Sequence, residues 1–467
     1  MNNKLIKCGQ VPLKPATEIP FSKIGIGFEK LDRAVFDPEK AYDKVGALGV
    51  KWVRIQSGWQ RTETEPGIYH FEWLDSIVDN LITRGMQPWI CLCYGNALYD
   101  DLAKTVFGAV GCPPIHTDEQ KNAWAAYVTA LVSRYVGKVT WFEVWNEPDG
   151  KWCWKHGVSG VEYGRFAADT AKAIKAGNPD AKVIGGSICI SDLNFINAAL
   201  ANGMAENIDA LTFHEYTASE ASVAGKVKYL TALCHSYNPK IEIIQGESGS
   251  QSRDDGAGAL RGGSWTPWKQ AKQCARHTMA DLLADVKFTS FFTTVDMIEA
   301  LNGTVGDKAS YLDFGYFGVL GADFDEDGLA TGEYTPKLSY YTLGTIANLF
   351  AGDIRPIDLP VICQPQPSNR VLGNDCRPFF GSFERADGAK CMVYWNPTDL
   401  MTTDFEGTAS FQFAALPENP KIIDLTDGKI YTIPESMIER LDFGCYRLRN
   451  IPCTDYPLML AFDGWLV

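Results

Sequence analysis

The sequence predicts an α/β protein, a closed (β/α)8 TIM barrel followed by a C-terminal antiparallel β-sandwich domain. Three observations support this prediction. Between Ile24 and about Ile298, short β-branched or aromatic runs alternate with longer amphipathic stretches. After Ala351 the pattern changes to turns and short alternating runs. The length of 467 residues exceeds what one core usually holds, so a large and a smaller domain are expected.

Eight strand candidates follow one another in the first part of the chain, with helix candidates between them. The strands are predicted at Ile24–Glu29, Lys51–Gln56, Pro88–Tyr94, Val139–Glu147, Ala181–Ser187, Ile208–Tyr216, Lys240–Glu247 and Phe288–Asp296. The helices are predicted at Pro38–Leu48, Trp73–Arg84, Asp118–Tyr135, Gly160–Ala176, Ser191–Asn202, Ser222–Tyr237 and Pro267–Val286, with Lys337–Phe350 after the last strand. Eight such units are typical of a barrel that carries its active-site residues at the carboxyl ends of the strands.

The domain boundary is predicted between residues 351 and 352. Residues 1–351 form the barrel domain in this interpretation, and residues 352–467 form the β-sandwich. The second part contains short runs that alternate as the strands of an antiparallel sheet do, such as "KCMVYWNP" and "ASFQFAAL". Residues 1–23 either belong to the barrel domain or pack on the sandwich. No flexible linker separates the two parts, so we expect them to pack closely.

Charge and cysteine content limit the class of partner. Lys and Arg total 43 against 57 Asp and Glu, a net charge of −14, which argues against nucleic acid or an anionic membrane surface as a partner. No apolar stretch has the length of a secretory signal or a membrane span. The 13 cysteines lack metal-site spacing and suit a reducing compartment, so a cytoplasmic location is expected. An oligomer remains possible.

Two carboxyl groups end two of the predicted strands. Asn146 and Glu147 close the fourth strand before Pro148, and Glu247 closes the seventh. All strands of a parallel barrel point the same way, so both carboxyl groups should face the same end. Cleavage of a glycosidic bond needs such a pair, with one protonated member that gives its proton to the leaving oxygen and one ionised member. The pattern therefore favours an enzyme that acts on a carbohydrate substrate.

The stretches around these residues resemble a known group of enzymes. "FEVWNEPDG" and "IIQGES" are similar to the clan A glycoside hydrolases, and the longer "WFEVWNEPDGKWCWK" most resembles glycoside hydrolase family 39, the β-xylosidase and α-L-iduronidase group. The resemblance covers about Ile24 to Phe350. It implies a retaining glycosidase in which Glu147 is the acid/base and Glu247 is the nucleophile.

The resemblance also implies roles for four residues around the pair. Asn146 would bind the sugar hydroxyl next to the anomeric carbon, and Arg54 would keep the nucleophile ionised. His214 and Tyr216 match a pair on the sixth strand, of which Tyr216 would donate a hydrogen bond to Glu247.

The remaining substrate contacts are predicted from position alone. Glu29 ends the first strand, and Asn96 follows the third, where it stands without the histidine of several relatives. The segment after strand eight offers Phe291, Phe292, Asp296 and Glu299 instead of the tryptophan that many clan members use as a sugar platform. We therefore expect stacking from elsewhere. The candidates are Trp59, Trp145, Trp152, Trp154, Trp265 and Trp268, and Trp152 is the one predicted to bind substrate.

Several alternatives stay open. Long loops after strands three and seven favour exo action on short glycosides, but an endo-acting glycanase of the same clan, an inverting enzyme and a carbohydrate-binding protein on an inactive barrel remain alternatives. No cofactor and no metal site is expected. The acidic stretch "DFDEDGLATGE" is interpreted as a solvated loop rather than a calcium site. Glu143 lies on the same strand face as Glu147 and is interpreted as a partner in an internal ion pair.

Overall fold

The computed structural model describes residues 5–105, 107–299, 313–365, 378–415, 419–462 and 464–466. Parts of the predicted sandwich, and one cysteine, Cys376, lie outside these ranges. The first strands are β1 (Ile6–Gln10), β2 (Ile24–Gly27), β3 (Trp52–Gln56), β4 (Gln87–Leu92), β5 (Trp141–Val144), β6 (Lys182–Ile188), β7 (Ala210–His214), β8 (Glu242–Ser248) and β9 (Thr289–Phe291). Strands β2 to β9 form a closed parallel barrel, which confirms the predicted fold class.

Helices surround the barrel in the predicted order. They are α1 (Tyr42–Gly46), α2 (Trp59–Thr62), α3 (Glu72–Thr83), α4 (Asp118–Arg134), α5 (Gly160–Gly177), α6 (Leu193–Ala199), α7 (Val223–Tyr237), α8 (Pro267–Leu283) and α9 (Leu338–Leu349). Four of them begin at side-chain caps that the sequence offers. Thr117, Ser159, Asp192 and Thr266 accept hydrogen bonds from backbone N–H groups in the first turns of α4, α5, α6 and α8. Local capping thus fixes where these helices start.

The predicted elements differ from the observed ones mainly at their ends. The fourth predicted strand was too long, because β5 stops at Val144 and the chain then adopts left-handed backbone at Trp145 (φ 69°) and Glu147 (φ 45°). The first strand stops at Gly27, so Glu29 lies in the following loop. The predicted helix Pro38–Leu48 divides into a 3₁₀ turn, Pro38–Lys40, and α1. The two strand corrections place Glu29 and Glu147 outside the strand ladders.

The C-terminal part of the chain is built from antiparallel strands. They are preceded by β10 (Met297–Ile298), β11 (Phe314–Gly315), β12 (Leu320–Phe324) and β13 (Ala330–Pro336), and comprise β14 (Ile354–Ile357), β15 (Val361–Pro365), β16 (Phe379–Arg385), β17 (Lys390–Trp395), β18 (Glu406–Phe413), β19 (Lys421–Asp424), β20 (Lys429–Thr432), β21 (Ile438–Arg440), β22 (Tyr446–Thr454) and β23 (Leu458–Ala461). The acidic stretch Asp323–Glu333 forms the turn region of the β12–β13 hairpin.

Two sheets make up this antiparallel part. A seven-stranded sheet has the order β1-β20-β19-β23-β17-β16-β14, and a four-stranded sheet has the order β15-β18-β22-β21. One apolar cluster contains residues of both sheets, such as Tyr394 and Leu458 of the first and Phe411 and Leu448 of the second. The N-terminal strand β1 pairs with β20 at the edge of the larger sheet. The boundary between residues 351 and 352 stays a prediction.

Helix α8 joins the barrel to the sheets. Its residues from Gln270 to Leu282 are all buried, as expected for a helix that is covered on both sides. Lys272 pairs with Asp455 at 2.6 Å, and Arg276 pairs with Glu220 at 2.8 Å. Trp395 of the sheet domain donates to the same Glu220 at 2.6 Å. Among the described residues, no helix has the combination of length and apolar character needed to cross a membrane.

A buried ion pair lies inside the barrel. Arg54 of β3 donates from Nε and Nη2 to the two oxygens of Glu143 on β5, at 2.8 and 3.1 Å, and both side chains are fully buried. The indole N–H of Trp89 donates to Glu143 at 2.9 Å. Trp89 itself belongs to the apolar cluster that fills this part of the barrel. The interpretation of Glu143 as an internal ion-pair partner is confirmed.

Replacing Glu143 should be costly for stability. In Glu143→Gln the guanidinium of Arg54 stays buried but loses the carboxyl group that holds it by two hydrogen bonds. Breaking a buried pair in this way typically costs about 3–5 kcal/mol in the free energy of unfolding. Chemical denaturation at neutral pH measures this loss. Glu242→Gln is the matched control, because Glu242 pairs with Lys287 on the surface, where both side chains are about two-fifths exposed. Equal losses in the two variants would contradict the importance of the buried pair.

A second buried carboxyl group lies between α8 and β9. Asp281 is fully buried and accepts a hydrogen bond from Oγ1 of Thr289 at 2.6 Å. Burial raises the pKa of Asp281 from 3.8 to about 8, and the bond from Thr289 offsets only part of this. The folded protein therefore keeps a proton on Asp281 at neutral pH that the unfolded chain has released.

This difference predicts that Asp281→Asn is more stable than the natural chain at neutral pH. Below pH 3.8 the carboxyl group of Asp281 is protonated in both the folded and the unfolded state, so it does not lower the free energy of unfolding. As the pH rises from 3.8 toward 8, Asp281 ionises only in the unfolded state, and this lowers the free energy of unfolding. The amide removes this loss, on the order of 1 kcal/mol or more at pH 7. Thermal unfolding at pH 4 and pH 7 tests it, with Asp169→Asn on the surface as the control. A gain that does not depend on pH would refute the explanation.

Candidate active site

A cavity of about 420 Å³ opens at the carboxyl ends of the barrel strands. Six of the residues predicted to form the site line it, namely Glu29, Asn146, Glu147, Trp152, Tyr216 and Glu247. Two more, Arg54 and His214, are fully buried and contact these lining residues. The strand tips thus bring eight of the nine predicted residues together, and Asn96 is the exception.

The irregular tip of β5 positions Glu147. Left-handed backbone at Trp145 and Glu147 costs on the order of 1–3 kcal/mol for each residue. Packing holds this conformation, because the buried Trp145 ring donates its N–H to the carbonyl of Cys153 at 2.8 Å and contacts the ring of Trp154 edge-on. The N–H of Glu147 in turn donates to the carbonyl of Ser187 at 3.0 Å. The tip is therefore fixed by its own neighbours before any substrate arrives.

Glu147 has two side-chain contacts. Its Oε1 lies 2.9 Å from Nδ1 of His214, and its Oε2 accepts a hydrogen bond from the indole N–H of Trp152. The carboxyl group is about one-tenth exposed and faces the cavity. Trp152 was predicted as a substrate contact, and the structure adds that it orients Glu147.

Glu247 is surrounded by donors. Arg54 donates from Nη1 to Oε1, and the hydroxyl of Tyr216 donates to Oε2 at 2.7 Å. Burial alone would raise the pKa of Glu247, but His214, Arg54 and Tyr216 together outweigh it and lower the pKa below its usual value. Glu247 is consequently held as a carboxylate, the state that a nucleophile requires.

His214 lies between the two carboxyl groups. Its Nδ1 is 2.9 Å from Glu147 and 3.5 Å from Glu247, and its Nε2 is 3.2 Å from Oγ of Ser187. Burial lowers the pKa of His214, but the charge of Glu247 and the hydrogen bond with Glu147 outweigh it, so the pKa is raised. Ser187 fixes one side of the ring while the other side faces both carboxyl groups.

These three residues also have the composition of a metal site. One ligand atom from each of Glu147, His214 and Glu247 lies within 4.8 Å of the others. The carboxylate oxygens, however, already accept hydrogen bonds from Trp152 and Tyr216 and from a guanidinium cation. A neighbouring cation repels a metal ion, so this donor set suits proton exchange better than metal binding.

Glu29 and Asn146 complete the floor of the cavity. Oδ1 of Asn146 accepts from Arg54 at 2.9 Å. Oε2 of Glu29 accepts from Thr293 at 3.0 Å, and its Oε1 has no hydrogen-bond partner among the described residues although it is buried. Burial and the nearby charge of Glu247 raise the pKa of Glu29 to about 8 despite Arg54. At neutral pH Glu29 is therefore a neutral acid that can also donate a hydrogen bond.

Asn96 and most of the candidate tryptophans lie elsewhere. The amide of Asn96 donates to the carbonyl of Glu63 at 2.8 Å and accepts from the N–H of Leu98 at 2.9 Å, so it holds its own loop. Four of the tryptophans, Trp59, Trp145, Trp154 and Trp265, are buried. Trp268 packs on Tyr456 of the sheet domain. The aromatic wall of the cavity beside Tyr216 comes instead from Phe292 and Phe317.

Sequence reasoning missed four polar lining residues, one of which, Arg261, comes from the loop after β8. Lys30 and Arg33 come from the loop after β2, and Gln56 ends β3. Gln56 could have been found, because it shares a strand face with Arg54 two positions before it. Lys30 donates to the carbonyl of Ile298 at 2.9 Å and lies 3.5 Å from Glu299. Because these partners are far from Lys30 in the sequence, no local sequence pattern indicates the contacts.

Comparison with known proteins agrees with this geometry. Residues 41–238 match the sequence model of glycosyl hydrolases family 39. A beta-xylosidase of Geobacillus stearothermophilus is 30% identical over 161 residues, which cover 32% of this chain and 31% of that protein. A beta-xylosidase of Caldicellulosiruptor saccharolyticus is 30% identical over 185 residues, 36% of this chain and 37% of that protein. The aligned parts span about a third of the length of these relatives.

Solved structures share the fold over nearly the whole chain. A family 39 glycoside hydrolase from Bacteroides cellulosilyticus WH2 aligns with a TM-score of 0.67 at 17% identity, covering 97% of this chain and 82% of that one. A monomeric beta-xylosidase from Caulobacter crescentus CB15 aligns with a TM-score of 0.62 at 16% identity, covering 97% of both chains. The sequence match includes Arg54, Asn146, Glu147, His214 and Tyr216. The matched segment of the barrel, residues 41–238, is thus similar to glycosyl hydrolases family 39.

Proposed function

We propose that the protein is a retaining glycosidase that works by double displacement, with Glu247 as the nucleophile and Glu147 as the acid/base. The main support for this proposal is the spacing between the carboxyl groups of Glu147 and Glu247. One oxygen of each lies within 4.8 Å of the other. Retaining enzymes hold the two groups about 5–5.5 Å apart, whereas inverting enzymes leave about 6.5–9.5 Å for a water molecule. The observed spacing supports direct attack by Glu247 on the sugar.

In the first step Glu247 forms a bond to the anomeric carbon while the bond to the leaving oxygen breaks. Glu147 transfers its proton to that oxygen, so the leaving group departs as an alcohol and the sugar remains as an ester of Glu247. In the second step Glu147 takes a proton from water, whose oxygen attacks the anomeric carbon and releases Glu247 as a carboxylate. Arg54 and Tyr216 stabilise the charge on Glu247 before attack and after release.

The proton needed for the first step is held at the contact between Glu147 and His214. The two atoms are 2.9 Å apart, so one proton is shared between them whichever atom carries it. Ser187 fixes the far side of the His214 ring. We infer that His214 is a positioning residue that keeps this proton beside the cavity, next to the place that the leaving oxygen occupies.

The substrate is proposed to be a short glycoside cleaved from its end. The ion pair of Lys30 with Glu299 and the loop residues Gly258 and Arg261 wall the cavity, which leaves limited room beyond one sugar. Asn146 and Glu29 are proposed to bind hydroxyl groups of that sugar. The curated relatives are beta-xylosidases, so β-xylosides are the first substrates to test. An endo-acting glycanase would instead release a ladder of products.

A carbohydrate-binding protein without activity is the alternative from another class. Binding alone requires neither an ionised carboxylate held by Arg54 and Tyr216 nor a second carboxyl group within 4.8 Å of it. A panel of nitrophenyl glycosides, followed by an NMR time course of the product anomer, distinguishes the two functions. Retention of configuration supports the proposal, and absence of turnover with bound sugar supports the binding protein.

Removing the nucleophile gives the sharpest test of the roles. Glu247→Gly should lower kcat on the best nitrophenyl glycoside roughly 10⁴-fold or more, because no covalent intermediate can form. Azide should restore turnover and yield the glycosyl azide of inverted configuration, since the small anion attacks from the face that Glu247 occupied.

Glu147→Gly serves as the matched variant in the same assay. It should retain the ester-forming step with activated leaving groups, and azide should give a product of retained configuration. Normal turnover by Glu247→Gly without azide would disprove the assignment of the nucleophile.

The hydroxyl of Tyr216 should set the acid limb of the pH profile. Tyr216→Phe removes a donor that lowers the pKa of Glu247, so the pKa rises and kcat/KM begins to fall at a higher pH than in the natural enzyme. The measurement is kcat/KM on one aryl glycoside from acid to alkaline pH. Tyr237→Phe on the outer face of α7 is the control and should leave the profile unchanged. An acid limb that does not move in Tyr216→Phe would contradict this role.

A further inference from the structure

The loop between β7 and α7, residues 215–222, connects the active site with the rest of the molecule. It begins directly after His214 and carries Tyr216, whose hydroxyl donates to Oε2 of Glu247 at 2.7 Å. At the start of the loop, the N–H of Glu215 donates to the carbonyl of Glu247 at 3.0 Å. Four residues after Tyr216 the loop reaches Glu220, which does not line the cavity. The position of Tyr216 therefore depends on how both ends of this loop are held.

Helix α8 holds the loop at two points. Nε2 of Gln273 donates to the carbonyl of Thr217, the residue after Tyr216, at 3.2 Å. Nε of Arg276 donates to Oε2 of Glu220 at 2.8 Å, and its Nη2 lies 2.8 Å from the same oxygen. Gln273 and Arg276 are three positions apart, which places them on one face of the helix. Helix α8 thus presents two donors to the side of the loop that follows Tyr216.

The other oxygen of Glu220 is held by the sheet domain. The indole N–H of Trp395, at the end of β17, donates to Oε1 of Glu220 at 2.6 Å. Arg276 also contacts this domain, because its Nη1 donates to the carbonyl of Thr398 at 3.0 Å. Glu220 is 8% exposed and Arg276 is 2% exposed, and Trp395 is fully buried. Each oxygen of the carboxyl group therefore has a donor from outside the loop, one from α8 and one from β17.

These buried contacts fix the loop more firmly than the loop fixes itself. A hydrogen bond to a charged group contributes about 1.5–3 kcal/mol, more than a bond between neutral groups. The intervening residues Thr217 to Ser219 are only partly buried or are exposed. Four residues of chain span at most about 14 Å, so the connection between Glu220 and Tyr216 has little slack. Loosening Glu220 should consequently loosen Tyr216 as well.

We propose that Glu220 is a positioning residue for the hydroxyl of Tyr216, and that Trp395 of the sheet domain and Arg276 of α8 hold Glu220 in place. The sheet domain then supports catalysis through a series of contacts from β17 to Glu247, without contacting the substrate. The inference rests on the proposed glycosidase function, in which Glu247 attacks the sugar. It adds to that function a residue and a domain that do not line the described cavity.

Trp395→Phe tests the proposal, because it removes the N–H donor and keeps an aromatic ring. A weaker bond from Tyr216 should raise the pKa of Glu247, so the acid limb of kcat/KM on one aryl glycoside should move to higher pH. The shift should be smaller than in Tyr216→Phe and reach at most about one pH unit. Glu220→Gln keeps the size of the side chain but removes its charge beside Arg276. It should shift the limb in the same direction, and it serves as the test if Trp395→Phe does not fold.

A double variant separates positioning from a general structural effect. If Trp395 acts through Tyr216, Trp395→Phe should cause no further shift of the acid limb in the Tyr216→Phe background. Trp268→Phe is the matched control. Trp268 lies on α8 and contacts Tyr456 of the sheet domain edge-on, so this variant makes the same change at the same domain boundary without removing a donor to the loop. An unmoved limb in Trp395→Phe, an equal shift in both backgrounds, or an equal shift in Trp268→Phe would overturn the proposal.

A second measurement does not require turnover. In protein labelled with carbon-13 at Cδ of glutamate, an NMR titration measures the pKa of Glu247, whose signal is assigned by its absence in Glu247→Gln. None of the variants replaces another charged group that acts on Glu247, namely Arg54, His214, Lys30, Glu29, Glu147 and Glu299. If the pKa rises in Trp395→Phe but the natural chain cleaves no glycoside, the positioning role stands and the glycosidase function fails. If glycosides are cleaved with retention but neither the limb nor the pKa moves, the glycosidase function stands and the positioning role fails.

Discussion

The site depends on one buried cation. Arg54 is fully buried inside the barrel and contacts three carboxyl groups, with Glu143 held by two hydrogen bonds, Glu247 by one, and Glu29 at 3.6 Å. It also donates to Asn146. A guanidinium has a fixed planar geometry, so fixing its position also fixes the positions of its acceptors. Glu143 holds the guanidinium from within the barrel. Glu247, which lines the cavity, contacts the same guanidinium.

One cation cannot keep three buried carboxyl groups ionised. Glu143 takes the two-point contact with Arg54. Glu247 also faces His214 and accepts a hydrogen bond from Tyr216, so the pKa of Glu247 is lowered. Glu29 has only Thr293 and a longer contact with Arg54, and burial together with the charge of Glu247 raises its pKa to about 8. Glu247 and Glu29 thus differ in protonation because they differ in the number of donors around them. The same arrangement leaves Glu247 as the ionised group that faces the cavity.

The sequence predicts those parts of the site that follow directly from the barrel fold. Strand order, the direction of the strands and the carboxyl groups at their ends follow from alternation and counting, so Glu147 and Glu247 could be paired without coordinates. The exact tip of β5 could not, because the left-handed backbone at Trp145 and Glu147 depends on tertiary packing of the Trp145 ring. The prediction for Asn96 was wrong for a different reason. A polar residue that follows a strand was expected to line the cavity, but the side chain of Asn96 instead hydrogen-bonds to backbone groups of Glu63 and Leu98.

The residues proposed for catalysis and the residues that line the rest of the cavity therefore lie in different structural elements. Arg54, Glu143, His214 and Glu247 lie on barrel strands, where hydrogen-bonded ladders fix the backbone. Glu147 lies three residues beyond β5, where packing of the Trp145 ring holds the backbone. Lys30, Arg33 and Arg261 lie in loops that no ladder constrains, and they contribute the cations of the cavity wall. Similarity to a family consequently says more about bond cleavage than about the sugar. We therefore expect the choice of substrate to vary with the loop side chains that line the cavity.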